Sequence, residues 1–547
     1  MKGNLVSRLA GIENQQFDVL IIGGGMAGAG VARDLALRGA SVALFEKADF
    51  AYGTTSRSSK LIHGGLRYLE LFDFKLVRES LRERETLSRL APHLIRPLPF
   101  LIPIYRGARR GLIKVRIGLA LYDWLTPGKA TDRYGVIRPE AALALEPEIR
   151  AEDLRGAGYY FEDLLLSPER LCLENVLSAC RHGARAFNYV AVEEVLRGPK
   201  GIEGLAVRDL LTDQVRRVRG QVIVNAAGPW VDQIRALAGV QDRGAHVIRT
   251  TKGVHCLLPR LTERAVYLPA QDERMIFVIP WREFSLVGTT DTDFDGNLDR
   301  LWATRDEVTY LLEEVRRVLP DRRVTADNVL YTYAGVRPLT HEPGKSPSKV
   351  SRQHRVWVEG PGGKFLTITG TKLTCFRSLA EEASDLAMER LGRRAAARTA
   401  MLTLDGADQS AGRVEARAWM DISAELAATG LRRETLERLV ETYGRSYVRV
   451  LDLARKLSDG AERLCGRNPE IVAQLNYAVA EELTVSLQDF LLRRTGIGTS
   501  PCQGLDCAGP IAARMADLLG WKARRREAEL AALYDQVDQS HRFRQSR

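Results

Sequence analysis

The spacing of apolar and polar positions changes three times along this chain, and each change marks a part. Phe17–Ile22 (FDVLII) is a short apolar run, and Ser41–Glu46 (SVALFE) is a second. Between them AGAGVARDLALRG has helical spacing, which predicts Val31, Ala32 and Leu35 toward a core and Arg33, Asp34 and Arg38 outward. Strand, turn, helix and strand in that order predict the start of a parallel sheet. Residues 75–93 (KLVRESLRERETLSRLAPH) read as a charged amphipathic helix stopped by Pro92. From about 245 to 294 the period shortens: VHCLLP, AVYLPA, MIFVIPW and FSLVGTTD predict an antiparallel sheet, and EVTYLLEEVRRVLP (307–320) a helix. After about residue 400 strand signals disappear, and RRETLERLVETYG, SYVRVLDLARKLSDG and PIAARMADLLGW predict a separate helical domain.

Composition narrows the function classes. The chain has 547 residues, 45% hydrophobic and 27% charged, room for two or three globular domains. Its 80 basic against 69 acidic residues give +11, which fits a basic surface or contact with an anionic membrane or phosphorylated ligand. No zinc-finger spacing, RNA-recognition motif or basic tail points to nucleic acid. Seven scattered cysteines do not make a disulfide framework, so a reducing compartment is expected. MKGNLVSRLAGIENQQ lacks the apolar core of a signal peptide, and no window reaches the roughly 18 uninterrupted apolar residues of a spanning helix. The expectation is a cytoplasmic protein that lies on a membrane without crossing it.

The first chemistry sits between the two apolar runs. GGGMAG supplies G-x-G-x-x-G as Gly23, Gly25 and Gly28 between strand and helix, where backbone approaches a pyrophosphate and the helix N-terminus faces it. Glu46 closes the second strand, in position to accept from ribose hydroxyls. No second nucleotide fold follows, which argues for FAD over NAD. A second glycine pair is less ordinary. SSKLIHGGLRYLE (Ser58–Glu70) places Gly64 and Gly65 among Lys60, His63 and Arg67, although each glycine costs a helix about 1 kcal/mol relative to alanine.

DVLIIGGGMAGAG, SSKLIHGGLRYLE, VNAAGPWVD, GTTDTD, YAGVRPL and GTKLTCFRSLAEEA, in that order, resemble the FAD-dependent glycerol-3-phosphate dehydrogenases over roughly residues 17–395. The resemblance implies an α/β FAD-binding Rossmann-type fold of the glutathione reductase and D-amino-acid oxidase kind, with an antiparallel-sheet substrate cap and an all-helical C-terminal domain. The FAD-binding domain would take 17–75, about 150–240 and 350–395; the cap about 76–149 and 241–349; the helical domain about 400–547. It implies FAD contacts from Gly23, Gly25, Met26, Ala27, Gly28 and Glu46; from Thr55, Ser56, Ser58, Ser59, Lys60 and Leu61; and from Ala227, Gly228, Trp230, Asp291, Gly370 and Lys372. Gly64 and Gly65 would let the backbone pass the flavin ring.

The same resemblance implies substrate binding by Arg67, Tyr68, Arg337 and Lys372, a base at His63 or His255, and help to the alkoxide from Arg337. Hydride would pass from C2 of sn-glycerol 3-phosphate to flavin, and electrons on to a membrane quinone. No metal site is implied; a homodimer is possible. RRGLIKVRIGLALYDWLTPGK (Arg109–Lys129) suits either an anionic bilayer or a core helix with a basic edge. Two alternatives stay open: an oxidase of the same fold acting on another small acid or amine or using oxygen, and an FAD-binding subunit without activity.

Three departures stand out: GTK at Gly370–Lys372 where the family has GGK, KGVH at Lys252–His255 where it has KGSH, and YYFEDLLLSPERL (159–171) in place of a more Asp-rich version. Cys502 and Cys507 resemble half of an iron–sulfur domain found in anaerobic relatives. Four thiolates are needed and residues 470–479 hold none, so no cluster is expected, with Cys465 a third ligand only in a different fold.

Overall fold

The computed structural model describes residues 8–126, 134–199, 201–240, 246–272, 274–342, 344, 353–370, 372–407 and 429–545. Strand β1 (Gln16–Ile22) and strand β2 (Val42–Phe45) are parallel, joined by helix α1 (Met26–Leu37). The next parallel neighbours come from far along the chain: Gln214–Asn225 and then Phe365–Thr369 on one side, Arg185–Phe187 on the other. Continuous apolar runs suit these strands because helices or a second layer cover both faces.

Helix α1 corrects one expectation. Arg33, Asp34 and Arg38 are buried, not outward, because the helices Pro168–Arg181 and Phe376–Arg390 pack along its flanks. Their charge is matched on the spot. Arg38 Nε lies 2.6 Å from Asp34, Thr399 donates to Asp34, and Arg33 Nε donates to Ser178 at 3.1 Å. A helical period alone does not distinguish a solvent face from a paired, covered one.

Among the described residues the second sheet has ten strands and is mostly antiparallel. Its centre is Ile248–Pro259, flanked by Phe284–Gly288 and Tyr331–Thr340. It also draws in Leu61–Ile62 and Leu154–Leu165, stretches the sequence assigned to the nucleotide domain. The reason is the long apolar strand Ile95–Tyr105, which pairs with Leu154–Leu165 along its whole length. Helix α2 (Phe74–Leu90) and helix α3 (Leu112–Leu125) pack beside this sheet.

Among its described residues the C-terminal part is a helical domain that carries one short hairpin, Arg463–Cys465 with Asn468–Ile471. It docks on the nucleotide domain through buried charge. Asp49, just past β2, takes Arg493 Nε at 2.6 Å and Arg494 Nη1 at 2.8 Å. Burial pushes the Asp49 carboxyl up, but the two guanidinium groups outweigh it and hold it at about 2. Arg170 pairs with Glu482 in the same interface.

Candidate active site

A cavity of about 1870 Å³ lies between the two sheets, with the glycine turn at one end and a cluster of cationic and imidazole side chains at the other. Gly23 has φ +104°, and a Cβ there would lie 2.6 Å from the Ala226 carbonyl oxygen. Only glycine fits where β1 and Gln214–Asn225 end side by side. Gly25 caps α1, and a Cβ on it would meet only Thr55 Oγ1, so the space over the helix N-terminus is open. Met26 and Ala27 line that space, and Thr55 Oγ1 accepts from the Met26 amide at 3.1 Å.

Glu46 lines the cavity and accepts from the Gly24 amide at 2.6 Å and the Ala48 amide at 2.9 Å. Burial holds its carboxyl above the usual range. Across the cavity Ala227, Gly228 and Trp230 form the facing wall. The Trp230 indole Nε1 is buried without a hydrogen-bond partner among the described residues. An open helix N-terminus, a carboxylate at the strand end and an orphaned donor fit a dinucleotide.

Three expected contacts are placed elsewhere. Gly28 does not line the cavity; a Cβ there would overlap the Gly23 carbonyl oxygen, so this glycine lets α1 pack on its own turn. Ser56 turns its hydroxyl to the carbonyls of Tyr52 and Gly53, closing a loop. Lys60, at φ +55°, turns away from the cavity: its Nζ lies 3.2 Å from Glu169 Oε1 and 4.9 Å from the Trp281 ring centroid. Ser58, Ser59 and Leu61 face the cavity.

The other end gathers side chains from four stretches of chain. His255, on Ile248–Pro259, stacks on Tyr333 at 4.9 Å and shares a 2.8 Å hydrogen bond between Nε2 and Ser59 Oγ. This serine hydroxyl stands beside the histidine where Val254 of KGVH cannot supply one. Burial, then Arg337 and Lys60, lower the His255 pKa well below the usual value. His63 is lowered likewise by burial, Lys372 and Arg84. Both imidazoles are therefore neutral near pH 7.

Arg337 donates to Thr289 Oγ1 at 2.9 Å and to Asp291 at 3.3 Å, and Gly253 is bare where any Cβ would meet its guanidinium. Lys372 Nζ donates to the His63 carbonyl and Ser80 Oγ, both at 2.8 Å, and lies 5.1 Å from the Tyr68 ring centroid; its third N–H has no hydrogen-bond acceptor among the described residues. Arg67 and Tyr68 line the cavity beside it. Gly370 has φ +72° and closes against the Gln353 carbonyl; Thr371 of the GTK departure lies outside the described residues.

The glycine pair has a packing cause. A Cβ on Gly64 would overlap the Tyr122 hydroxyl and Leu81, and Gly65, at φ +82°, lies against the Tyr68 ring. Sequence reasoning missed Glu162, which also lines the cavity and accepts from the Gly64 amide. The available signal was a carboxylate inside the apolar strand YYFEDLL. In the C-terminal part, Cys465 and Cys502 sulfurs lie 3.8 Å apart, with Asn468 donating to both.

A model of the FAD dependent oxidoreductase family matches residues 18–375, and one of the C-terminal domain of alpha-glycerophosphate oxidase matches residues 397–526. A protein named glycerol-3-phosphate dehydrogenase from Synechocystis sp. is 36% identical, over 97% of this chain and 98% of its own. The aerobic glycerol-3-phosphate dehydrogenase of Bacillus subtilis is 36% identical, over 89% of this chain and 88% of its own. Among solved structures, the glycerol-3-phosphate dehydrogenase from Bacillus halodurans complexed with FAD superposes with a TM-score of 0.81. It is 29% identical and covers 98% of this chain and 97% of its own.

Proposed function

The chain belongs to the FAD-dependent glycerol-3-phosphate dehydrogenases, and we propose that it oxidises sn-glycerol 3-phosphate at C2 to dihydroxyacetone phosphate, delivering electrons to a membrane quinone. FAD, when bound, supplies the hydride acceptor. The observation that carries the reading is one cavity holding a dinucleotide turn at one end and Arg67, Arg337, Lys372 and two neutral histidines at the other.

Arg67 and the remaining Lys372 N–H hold the phosphate, for which charge-assisted bonds from cations are the strong choice. Arg337, fixed by Thr289 and Asp291, faces the C2 oxygen and favours its alkoxide. A base must be neutral to take the hydroxyl proton, and both histidines qualify. Ser59 already engages Nε2 of His255, which favours His63 as the base. His255, stacked on Tyr333, then forms the wall that keeps C2 in line.

The quinone part rests on α3. Ile113, Ile117 and Trp124 are 78%, 63% and 78% exposed on one face of it, beside exposed Lys114 and Arg116. No helix of the described residues is long and apolar enough to cross a membrane. A basic helix with an uncovered apolar face suits the surface of an anionic bilayer. The C-terminal match to an oxidase supports a second reading, with oxygen as acceptor.

The test is a visible spectrum of the purified protein under nitrogen, before and after sn-glycerol 3-phosphate. Bleaching of the flavin band is expected. A yellow protein that stays oxidised would sink the substrate assignment while leaving fold and cofactor. Hydrogen peroxide formed in air at the turnover rate would replace quinone by oxygen.

A further inference from the structure

Gly64 and Gly65 leave the turn after His63 free to rotate its peptide planes, since glycine crosses φ space with little penalty. Yet the turn carries the imidazole and the Arg67 guanidinium that must meet one small substrate. The peptide joining His63 to Gly64 is gripped at both ends. Its carbonyl oxygen accepts from Lys372 Nζ at 2.8 Å and Thr374 Oγ1 at 3.2 Å. Its N–H donates to Glu162 Oε2 at 3.0 Å.

Glu162 is 3% exposed, and donors from two helices aim at it. Arg84 on α2 donates to Oε2 at 2.8 Å, and Tyr122 on α3 donates to Oε1 at 2.6 Å. Arg84 is tied in turn to the Phe161 carbonyl at 2.9 Å and Tyr134 at 3.2 Å. A buried ion pair is a poor source of stability, because desolvation offsets most of its attraction. What this arrangement does supply is direction: a cation at the oxygen and an anion at the nitrogen of one peptide plane.

We propose that Glu162 is a positioning residue for the reaction, fixing the His63–Gly64 peptide and with it the angle at which His63 and Arg67 enter the cavity. It rests on the reaction proposed above, in which those side chains meet the substrate. Misplacement of such groups by about 1 Å costs up to about 100-fold in rate. Glu162→Gln keeps the shape but removes the charge, and its amide N–H either faces the Gly64 and Arg84 donors or makes the Tyr122 hydroxyl turn from donor to acceptor.

The experiment measures kcat, KM, flavin content and amide exchange of residues 61–69 in wild type, E162Q, Y122F and the double variant. In E162Q kcat falls about 30- to 100-fold, KM rises by a smaller factor as Arg67 loses its angle, flavin content holds and exchange at 61–69 quickens. Y122F alone costs about three- to tenfold in kcat and adds little to E162Q, since both act on one carboxylate. E162Q with kcat within twofold of wild type, or with unchanged exchange, overturns the proposal, as does full additivity. Should E162Q not fold, Y122F decides: a lower kcat at full flavin content supports the hold, and an unchanged kcat removes it. Faster exchange in E162Q with no flavin reduction in wild type would sink the reaction, not the hold.

Discussion

Two glycine turns face the same cavity, and they need glycine for different reasons. Around Gly23 and Gly28 the atoms in the way are backbone: the carbonyl oxygens of Ala226 and of Gly23 itself. Around Gly64 and Gly65 they are side chains: the Tyr122 hydroxyl, Leu81 and the Tyr68 ring. The first turn is crowded by the topology of a strand–helix–strand unit and would be crowded on any such fold. The second is crowded by residues that other elements send to it. One is therefore a fixed requirement; the other is a fit that a second change would relax.

The sharpest way to break the distinction is Gly28→Ala. A methyl there meets a carbonyl oxygen one turn away, so no side chain can yield, and overpacking of this kind costs about 3 kcal/mol or more. The expected protein retains little FAD and melts lower, read from its flavin-to-protein ratio and Tm. Trimming Ile21, whose Cγ2 is the nearest side-chain atom, to alanine restores neither. Normal flavin content in G28A would mean the turn has slack that its geometry denies.

Gly64→Ala comes next in size. It keeps FAD, because the cofactor end is built from other elements, and loses kcat by about 100-fold as the turn shifts. Combining it with L81A and Y122F clears the space, and kcat recovers by about fivefold or more despite the lost Tyr122 bond. No recovery would put Gly64 in the same class as Gly28.

The same division explains what a reading of the sequence reaches. β1, α1, β2, the turn between them and Glu46 were legible because their contacts lie within about thirty residues and follow one periodic pattern. The helices 75–93 and 307–320 follow from amphipathic spacing and appear as Phe74–Leu90 and Arg305–Val318. The motif resemblance supplied His63, Arg67, His255, Arg337 and Lys372 as cavity residues, but not what holds them. Glu162 meets Gly64 across 98 positions, Arg84 across 78 and Tyr122 across 40. No spacing encodes such a meeting. Nothing in the charged helix 75–93 singled out Arg84, since burial of a charge depends on what covers it, as Arg33 and Arg38 on α1 also show. Lys60 was misplaced for a simpler reason: its backbone is left-handed, at φ +55°, which turns its side chain to Glu169 while Ser59 and Leu61 face the cavity.

The smallest effect, and the one that separates the turns by sign, is in pH. Each turn meets a buried group whose pKa is shifted: Glu46 accepts from the Gly24 amide of the first, and His63 leads into the second. Burial raises the Glu46 pKa above its usual value, while burial, Lys372 and Arg84 lower that of His63. Between the folded His63 pKa and about 6.5, the unfolded chain holds a proton that the native one lacks. Stability therefore rises with pH across that window and is lost as pH falls through it. For Glu46 the native chain holds the extra proton above about 4.5, so stability falls as pH rises toward its folded pKa. Tm measured between about pH 4.5 and 7 for wild type, H63Q and E46Q isolates the two contributions by difference. H63Q should flatten the decline below pH 6.5, and E46Q should remove a decline of opposite direction. The rate follows the same logic: with His63 as base, kcat/KM, which reports the free enzyme, shows no acid limb from His63 until well below 6.5. An acid limb at 6.5 or above would mean the imbalance of charge around His63 is not felt by the proton it takes, and the base would have to be sought at another group.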